Sequence, residues 1–493
     1  MLSMTACSGN KTQDLPVESV KETETEKQAE SLEEKTGNPD EEKLADPEAG
    51  TNAEGWKEAY SYSLAQQAFF YCYPLIKQNN AIYGKNDFGS YNRREKMLGP
   101  EVKMGASMNV DTLYSIAYVD LTEEPAVFTI PDNPDGRYYS IEFFESYSDC
   151  VGYMGTRTTQ NKKAAYLVTA PGWEGTVPEG IDQVLECPTN VVTAGARTFS
   201  TNTPEDLEIA NGLQQEYRIY PLSQWEKDLP QEMKVTPGNE IAMEPVDLTD
   251  TAGTIEIINH WIEISGYPKR DEALMQQYGQ VGIGPYARKS FGDLEPEVQK
   301  AIGNAFEDGM DIIKMAAVEV GSIYDLNKNV NGWSYNPSNW GRMAEIGDFI
   351  GRASTQSYSG SAENLIEECV KLRVFVDENG EPLNGSNQYV IHFDKNQIPK
   401  TYGFWSLTVY DGEYNLFENE QNRYAVRDID SDLKLGEDGS LTIYIQKTKP
   451  EDPAGNWIPV KEGEEFNIFF RNYLPTQEFM DQTYIAPPIE KKS

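Results

Sequence analysis

Apolar positions along the chain follow two periods. Residues 56–78, WKEAYSYSLAQQAFFYCYPLIKQ, put Tyr60, Leu64, Ala68, Tyr71 and Leu75 at helical spacing, which predicts a helix buried along that stripe. Pro74 is expected to kink or end it, because proline lacks the N–H that the helix needs. From Leu113 to Leu121 the period falls to two, the signature of a strand. AVFTIPD (126–132), RYYSIEFF (137–144), AAYLVTAPG (164–172) and NVVTAGARTF (190–199) continue in the same manner. The turn DNPDG at 132–136 has hairpin chemistry and predicts antiparallel pairing of its flanking strands. No long helical segment separates these strands. A βαβ layout is therefore disfavoured, and a β-sandwich or jelly roll is expected.

Between about 228 and 254 the text turns loop-like, and a domain boundary is placed there. Residues 255–370 return to a helical period. DEALMQQYG (271–279) predicts a short helix. The next, beginning at Pro296, carries Val298, Ile302, Phe306 and Ile313 on one face. SAENLIEECVKL (361–372) predicts another, with Ser361 as its cap. Beyond 371 the chain reads as β again, in NQYVIHF, YGFWSLTVYD, SLTIYIQ and EFNIFFRNY, punctuated by NGEPLNG and EDGS. The predicted fold is mainly β with α-helices: two β-sandwich or jelly-roll-like domains with a helical segment between them. The expected boundaries are 56–235 for the first β domain, 236–254 for a linker, 255–370 for the helical segment and 371–493 for the second β domain.

Charge alters this picture in two ways. A net −38 over 493 residues disfavours nucleic acid and anionic membrane surfaces, which would be repelled. Part of it is local: residues 1–55 hold 14 acidic and 5 basic side chains and no aromatic, the composition of a disordered tether. MTAC at 4–7 resembles the end of a bacterial lipoprotein signal, with Cys7 as the lipidated residue. A basic start and a long apolar segment are missing, so that reading needs Met1 to lie inside the signal. The expectation is an exported envelope protein touching the membrane only through a lipid anchor; the alternative is a cytoplasmic protein with a polar tail. Cys72, Cys150, Cys187 and Cys369 are widely spaced without a C-x-x-C pair, so buried free thiols are expected rather than zinc.

NVDTLY (109–114), DGRYYSIEFFESY (135–147), RTT (157–159), PGW (171–173) and CPTNVVTAGART (187–198) occur in order in the first half. NGW (331–333), FWSLTVYD (404–411), NRYAVRD (422–428), DGSLTIYIQ (438–446), NWIPV (456–460) and FRNYLP (470–475) follow in the second. Together, over roughly 56–490, these resemble bacterial proteins that pair two domains of unknown function, numbered 1254 and 1214. The resemblance implies two β-sandwiches, the second jelly-roll-like, with helices between and around them. It supplies no reaction, cofactor or catalytic residue.

Candidate chemistry is sparse. His260 and His392 are the only histidines, and no G-x-S-x-G elbow accompanies them. Asp428, Asp430 and Asp432 begin like a calcium loop, but Leu433 and Gly439 stand where the EF-hand template needs Gly and Glu. Neither a P-loop nor a dinucleotide fingerprint is present. Asp111, Glu142, Glu145 and Asp149 are candidates for a carboxylate hydrolase; the bland alternative is solvent-facing acids beside core aromatics. Polar groups amid aromatics form the remaining signal: Asn109, Asp111, Tyr114, Arg137, Arg157 and Arg197 in the first half; Trp405, Arg423, Asn456, Trp457 and Arg471 in the second. Buried arginines require partners, and an Asp111 pair with Arg197 or Arg137 is expected. The expected ligand is a carbohydrate or glycan fragment, with a structural envelope role and the hydrolase as alternatives.

Overall fold

A computed structural model describes residues 55–103, 105–319, 328–360, 362–451 and 455–492. The tether, Cys7 and the Ser361 cap lie outside the described residues. Nine strands build a first sandwich: β1 (Asn92–Arg93), β2 (Thr112–Asp120), β3 (Ala126–Ile130), β4 (Tyr139–Glu145), β5 (Cys150–Gly155), β6 (Ala164–Thr169), β7 (Gln183–Glu186), β8 (Val191–Phe199) and β9 (Arg218–Pro221). One sheet runs β1-β2-β8-β4-β5 and the other β7-β6-β3-β9. Ala117, Val119, Ile141, Phe143 and Ala194 from the first face Phe128, Tyr166, Val168 and Ile219 from the second across a closed core. DNPDG is not a hairpin. β3 pairs with β6 and β9, and β4 with β5 and β8, so the turn carries the chain from one sheet to the other. Local turn chemistry gives way here because each flanking strand is already paired on both edges.

The second sandwich uses β10 (Asn329–Val330), β11 (Trp333–Tyr335), β12 (Cys369–Val374), β13 (Tyr389–Phe393), β14 (Trp405–Asp411), β15 (Ala425–Arg427), β16 (Leu441–Ile445), β17 (Trp457–Ile458), β18 (Phe466–Tyr473) and β19 (Glu490–Lys491). Its sheets run β10-β11-β12-β18-β14-β15 and β17-β16-β13-β19. Leu372, Trp405, Leu407, Ile468 and Phe470 pack against Tyr389, Ile391, Phe393, Ile443 and Ile445.

The helices are α1 (Trp56–Ile82), α2 (Thr156–Thr159), α3 (Pro204–Gln214), α4 (Thr251–Ser265), α5 (Glu272–Tyr278), α6 (Pro296–Glu319), α7 (Phe349–Ser359) and α8 (Gln477–Met480). Helices α1, α4, α5, α6 and α7 share one core, which also takes Tyr118, Tyr147 and Val191 from the first sandwich. Val298, Ile302, Phe306 and Ile313 are buried in it, as their spacing predicts. Three expectations differ. Helix α1 does not end at Pro74, a buried position, but runs on to Ile82. Burial on nearly every side holds it together where an exposed helix would break. Tyr60 is 46% exposed, so the buried stripe starts at Leu64. Residues 362–368 are not helical and lead directly into β12. Their helical pattern is overridden because Glu363 is drawn to Trp340 and Lys371, and Glu368 to Arg157 and Tyr138. Among the described residues no helix is long and apolar enough to cross a membrane.

Candidate functional site

Strand register alone places a set of unlike side chains on one face of the first sheet. Leu113, Ala117 and Val119 are buried on β2, Ala117 and Val119 in the sandwich core, while Tyr114, Ile116 and Tyr118 alternate to the opposite face. Tyr114 pairs with Arg197 on β8, Ile116 with Gly195, and Tyr118 with Thr193. Asn92 on β1 lies opposite Ile116, and Arg94 donates its backbone N–H to Tyr114. On β4, Glu142 is opposite Gly195 and Phe144 opposite Thr193. Between this face, the end of α1 and the turn after it (Ala81, Lys85, Asn86), and the end of α7 with its cap (Ser359, Gly360), lies a cavity of about 280 Å³. Gly195 keeps its floor open. A Cβ there would have as neighbours only the Phe144 ring at 3.4 Å and the Glu142 carbonyl at 3.9 Å.

The polar groups of the floor are held from behind. Arg197 Nη1 donates to Glu142 Oε2 (2.8 Å), and Tyr153 donates its hydroxyl to Glu142 Oε1 (2.9 Å). Burial works against the Arg197 charge, but Glu142 and the nearby tyrosines outweigh it and hold its pKa well above the ordinary value. Asn109 Nδ2 donates to the Tyr114 hydroxyl oxygen (2.5 Å). Burial pushes the Tyr114 pKa up, against Arg197 and Arg471, which pull it down, so the phenol keeps its proton. Of the sequence candidates, Tyr114 and Arg197 line the cavity, and Asn109 orients Tyr114.

Asp111 does not pair with Arg197 or Arg137. Its Oδ1 accepts from Arg427 Nε (2.6 Å) and Ser406 Oγ (3.0 Å), both in the second sandwich. The same segment is clamped throughout. Tyr410 donates to the Met108 carbonyl, Arg471 Nη2 to that of Ser107, and Arg427 Nη2 to that of Val110. Ser107 sits at φ 40°, a left-handed conformation for a side-chain-bearing residue. Its hydroxyl donates to the Tyr358 carbonyl and its N–H to that of Tyr414, which over-determines the turn. Asn109 accepts from the N–H groups of Asp111 and Thr112, the Asx turn that launches β2.

The other candidates are scattered. Arg137 binds Asp135 and Asp206 at the sandwich edge. Arg157 pairs with the buried Glu368 (2.7 Å). Trp405 is a core residue of the second sandwich, and Trp457 is buried with its indole N–H on the Gln446 carbonyl. Arg423 pairs with Asp432, and Asn456 ties Lys434 to Thr442. Arg471 is buried over the rings of Tyr410 and Phe469. Glu142, Glu145 and Asp149 do not face solvent; all three are buried. Glu145 accepts the N–H groups of Tyr147 and Asp149, and burial together with Asp149 raises its pKa. Cys72, Cys150, Cys187 and Cys369 are free thiols. His260 contacts the Ile241 carbonyl, and His392 contacts Thr442. Among the described residues no three His, Cys, Asp or Glu side chains are placed to hold a metal.

Asp428, from the calcium-like run, accepts the backbone N–H of Trp405 (3.0 Å). Burial pushes its carboxyl up to about 6. The folded state therefore holds this proton to higher pH than the unfolded chain, whose Asp titrates near ~3.9. The resulting stability is fully present below ~pH 3.9 and is lost as pH rises toward about 6. Asp428→Asn is expected to stabilise the protein by about 1–2 kcal/mol above pH 6.5, after allowance for partial exposure. The gain should vanish below ~pH 4 in urea titrations at stepped pH. A gain independent of pH would contradict this.

Sequence reasoning missed Lys85, Asn86, Asn92, Arg94, Phe144 and Gly195, all around the cavity. One signal was present: TLYSIAYVD is apolar on both faces, so both had to be covered. Which element covers the second face is a long-range fact absent from the strand itself.

Residues 88–221 match the family described as protein of unknown function (DUF1254), and residues 368–477 match protein of unknown function (DUF1214). The VPA0106 protein from Vibrio parahaemolyticus has the same fold at TM-score 0.64 and 22% identity, over 88% of this chain and 100% of its own. An uncharacterised protein from Burkholderia cenocepacia reaches TM-score 0.43 at 12% identity, over 89% and 94% of the two chains. No curated protein matches the chain.

Proposed function

We propose, for a chain that carries both the DUF1254 and the DUF1214 domain, that it binds a small molecule in the cavity on the outer face of its first sheet. The observation that supports this most is the Gly195 gap, flanked in register by Tyr114, Ile116 and Arg197 and roofed by the end of α7. It combines an apolar, aromatic wall with a few convergent polar groups, the usual make-up of a ligand site. At about 280 Å³ it is smaller than drug-sized sites. A carbohydrate or glycan fragment, the class an aromatic-rich exported chain first suggests, would have to be of single-ring size. Glu142 and Glu145 are engaged by protein partners, which favours binding over carboxylate hydrolysis. Placement at the cell envelope is part of the proposal and rests on Cys7 in MTAC and the acidic spacer after it.

The test is a thermal-shift screen of the full chain beside its Gly195→Val variant. A concentration-dependent rise in Tm is expected from at least one small compound with the wild type only. A hit kept by Gly195→Val, or no hit at all, counts against the reading.

A further inference from the structure

Acidic side chains outnumber basic ones 80 to 42 in this chain, yet the described lining of the cavity contains no carboxylate and three cations, Lys85, Arg94 and Arg197. Among the described residues, Arg197 is oriented by Glu142 through Nη1 alone, and its other guanidinium nitrogens have no hydrogen-bond partner. Arg94 and Lys85 stand exposed at the rim, and the Arg94 side chain forms no ion pair with any described residue. Tyr114 accepts from Asn109, which leaves its own O–H proton free to donate. Tyr118 and Phe144 supply apolar wall beside these donors. A field of net −38 repels anions from most of this surface. A local surplus of cations and donors against aromatic rings reverses that preference at one place.

Resting on the binding reading above, we infer that the ligand of this cavity is a small organic carboxylate with an apolar body. Its carboxylate accepts from the free edge of Arg197 and from the Tyr114 hydroxyl, and its ring or chain lies on Tyr118 and Phe144. A planar guanidinium edge matches a carboxylate in geometry as well as charge. Arg94 and Lys85 attract the anion from the rim without needing fixed contact.

The test is titration calorimetry of the full chain with benzoate, phenylacetate and hexanoate, each against its own amide, which keeps the shape and removes the charge. At least one carboxylate should bind about tenfold or more tightly than its amide. Added salt should weaken it, and Gly195→Val should abolish it. Arg94→Gln, an exposed change, should weaken it about three- to tenfold while the unliganded Tm stays the same. Tyr114→Phe should weaken it about tenfold. An amide bound as tightly as its acid overturns the carboxylate assignment and leaves the cavity as a binding site. So does a neutral compound from the screen that binds while every carboxylate fails. Carboxylate binding untouched by Gly195→Val places the anion elsewhere and overturns the assignment too. If neither these acids nor any screened compound binds, both readings fall.

Discussion

Arg427→Met is expected to cost the folded protein about 3–5 kcal/mol, because it strands a buried carboxylate. Asp111 is fully buried, and its Oδ2 already has no hydrogen-bond partner among the described residues. Without Arg427, only Ser406 Oγ would remain on Oδ1. The reverse change is milder. Asp111→Ala leaves Arg427 with Asp430 at 3.3 Å and with the Val110 carbonyl. The two single variants should therefore differ, with Arg427→Met the worse by about 1–2 kcal/mol. The double variant Asp111→Leu/Arg427→Met should recover much of the loss, since a buried ion pair and an apolar pair of similar volume are often close in stability. Urea midpoints at unchanged slope measure all three. A loss below about 1 kcal/mol for Arg427→Met would show that the pair does not join the two sandwiches energetically.

Trp405→Ala carries the second large effect, about 3–5 kcal/mol, as a cavity in the second core. The indole is 1% exposed and meets the Phe470 ring edge-on at 5.8 Å. Its N–H has no hydrogen-bond partner among the described residues, so the loss is one of packing. Binding measured on the folded fraction, well below the unfolding transition, should be unchanged. A variant that keeps its stability and loses the ligand would restore Trp405 as a contact residue and undo its placement in the core.

Much of the architecture is legible in the sequence because it depends on local period. The alternation of Leu113–Leu121, the apolar runs of β14 and β18, and the stripe of α6 each state their own secondary structure. Errors arose where a neighbour distant in sequence outweighed the local signal. DNPDG became a crossover because β3 and β4 were already paired. Residues 362–368 stayed unwound because Glu363 and Glu368 found cationic partners. Pro74 stayed inside a helix because that helix is buried on nearly every side.

The candidate site divides in the same way. Residue type and spacing alone marked Asn109, Asp111, Tyr114 and Arg197 as polar groups amid aromatics, and alternation put Tyr114 and Asp111 into a turn-then-strand context. Composition alone accounts for the acidity and the poverty of histidine. Tertiary structure decided which charge meets which: Asp111 with Arg427, and Arg197 with Glu142. It also decided that Trp405 and Trp457 are buried, and that Gly195 leaves a gap in the floor of a cavity. The physical reason is range. Backbone period and turn chemistry are encoded within a few residues, whereas a salt bridge or a cavity exists only once segments some 300 positions apart, such as 111 and 427, have been brought into contact.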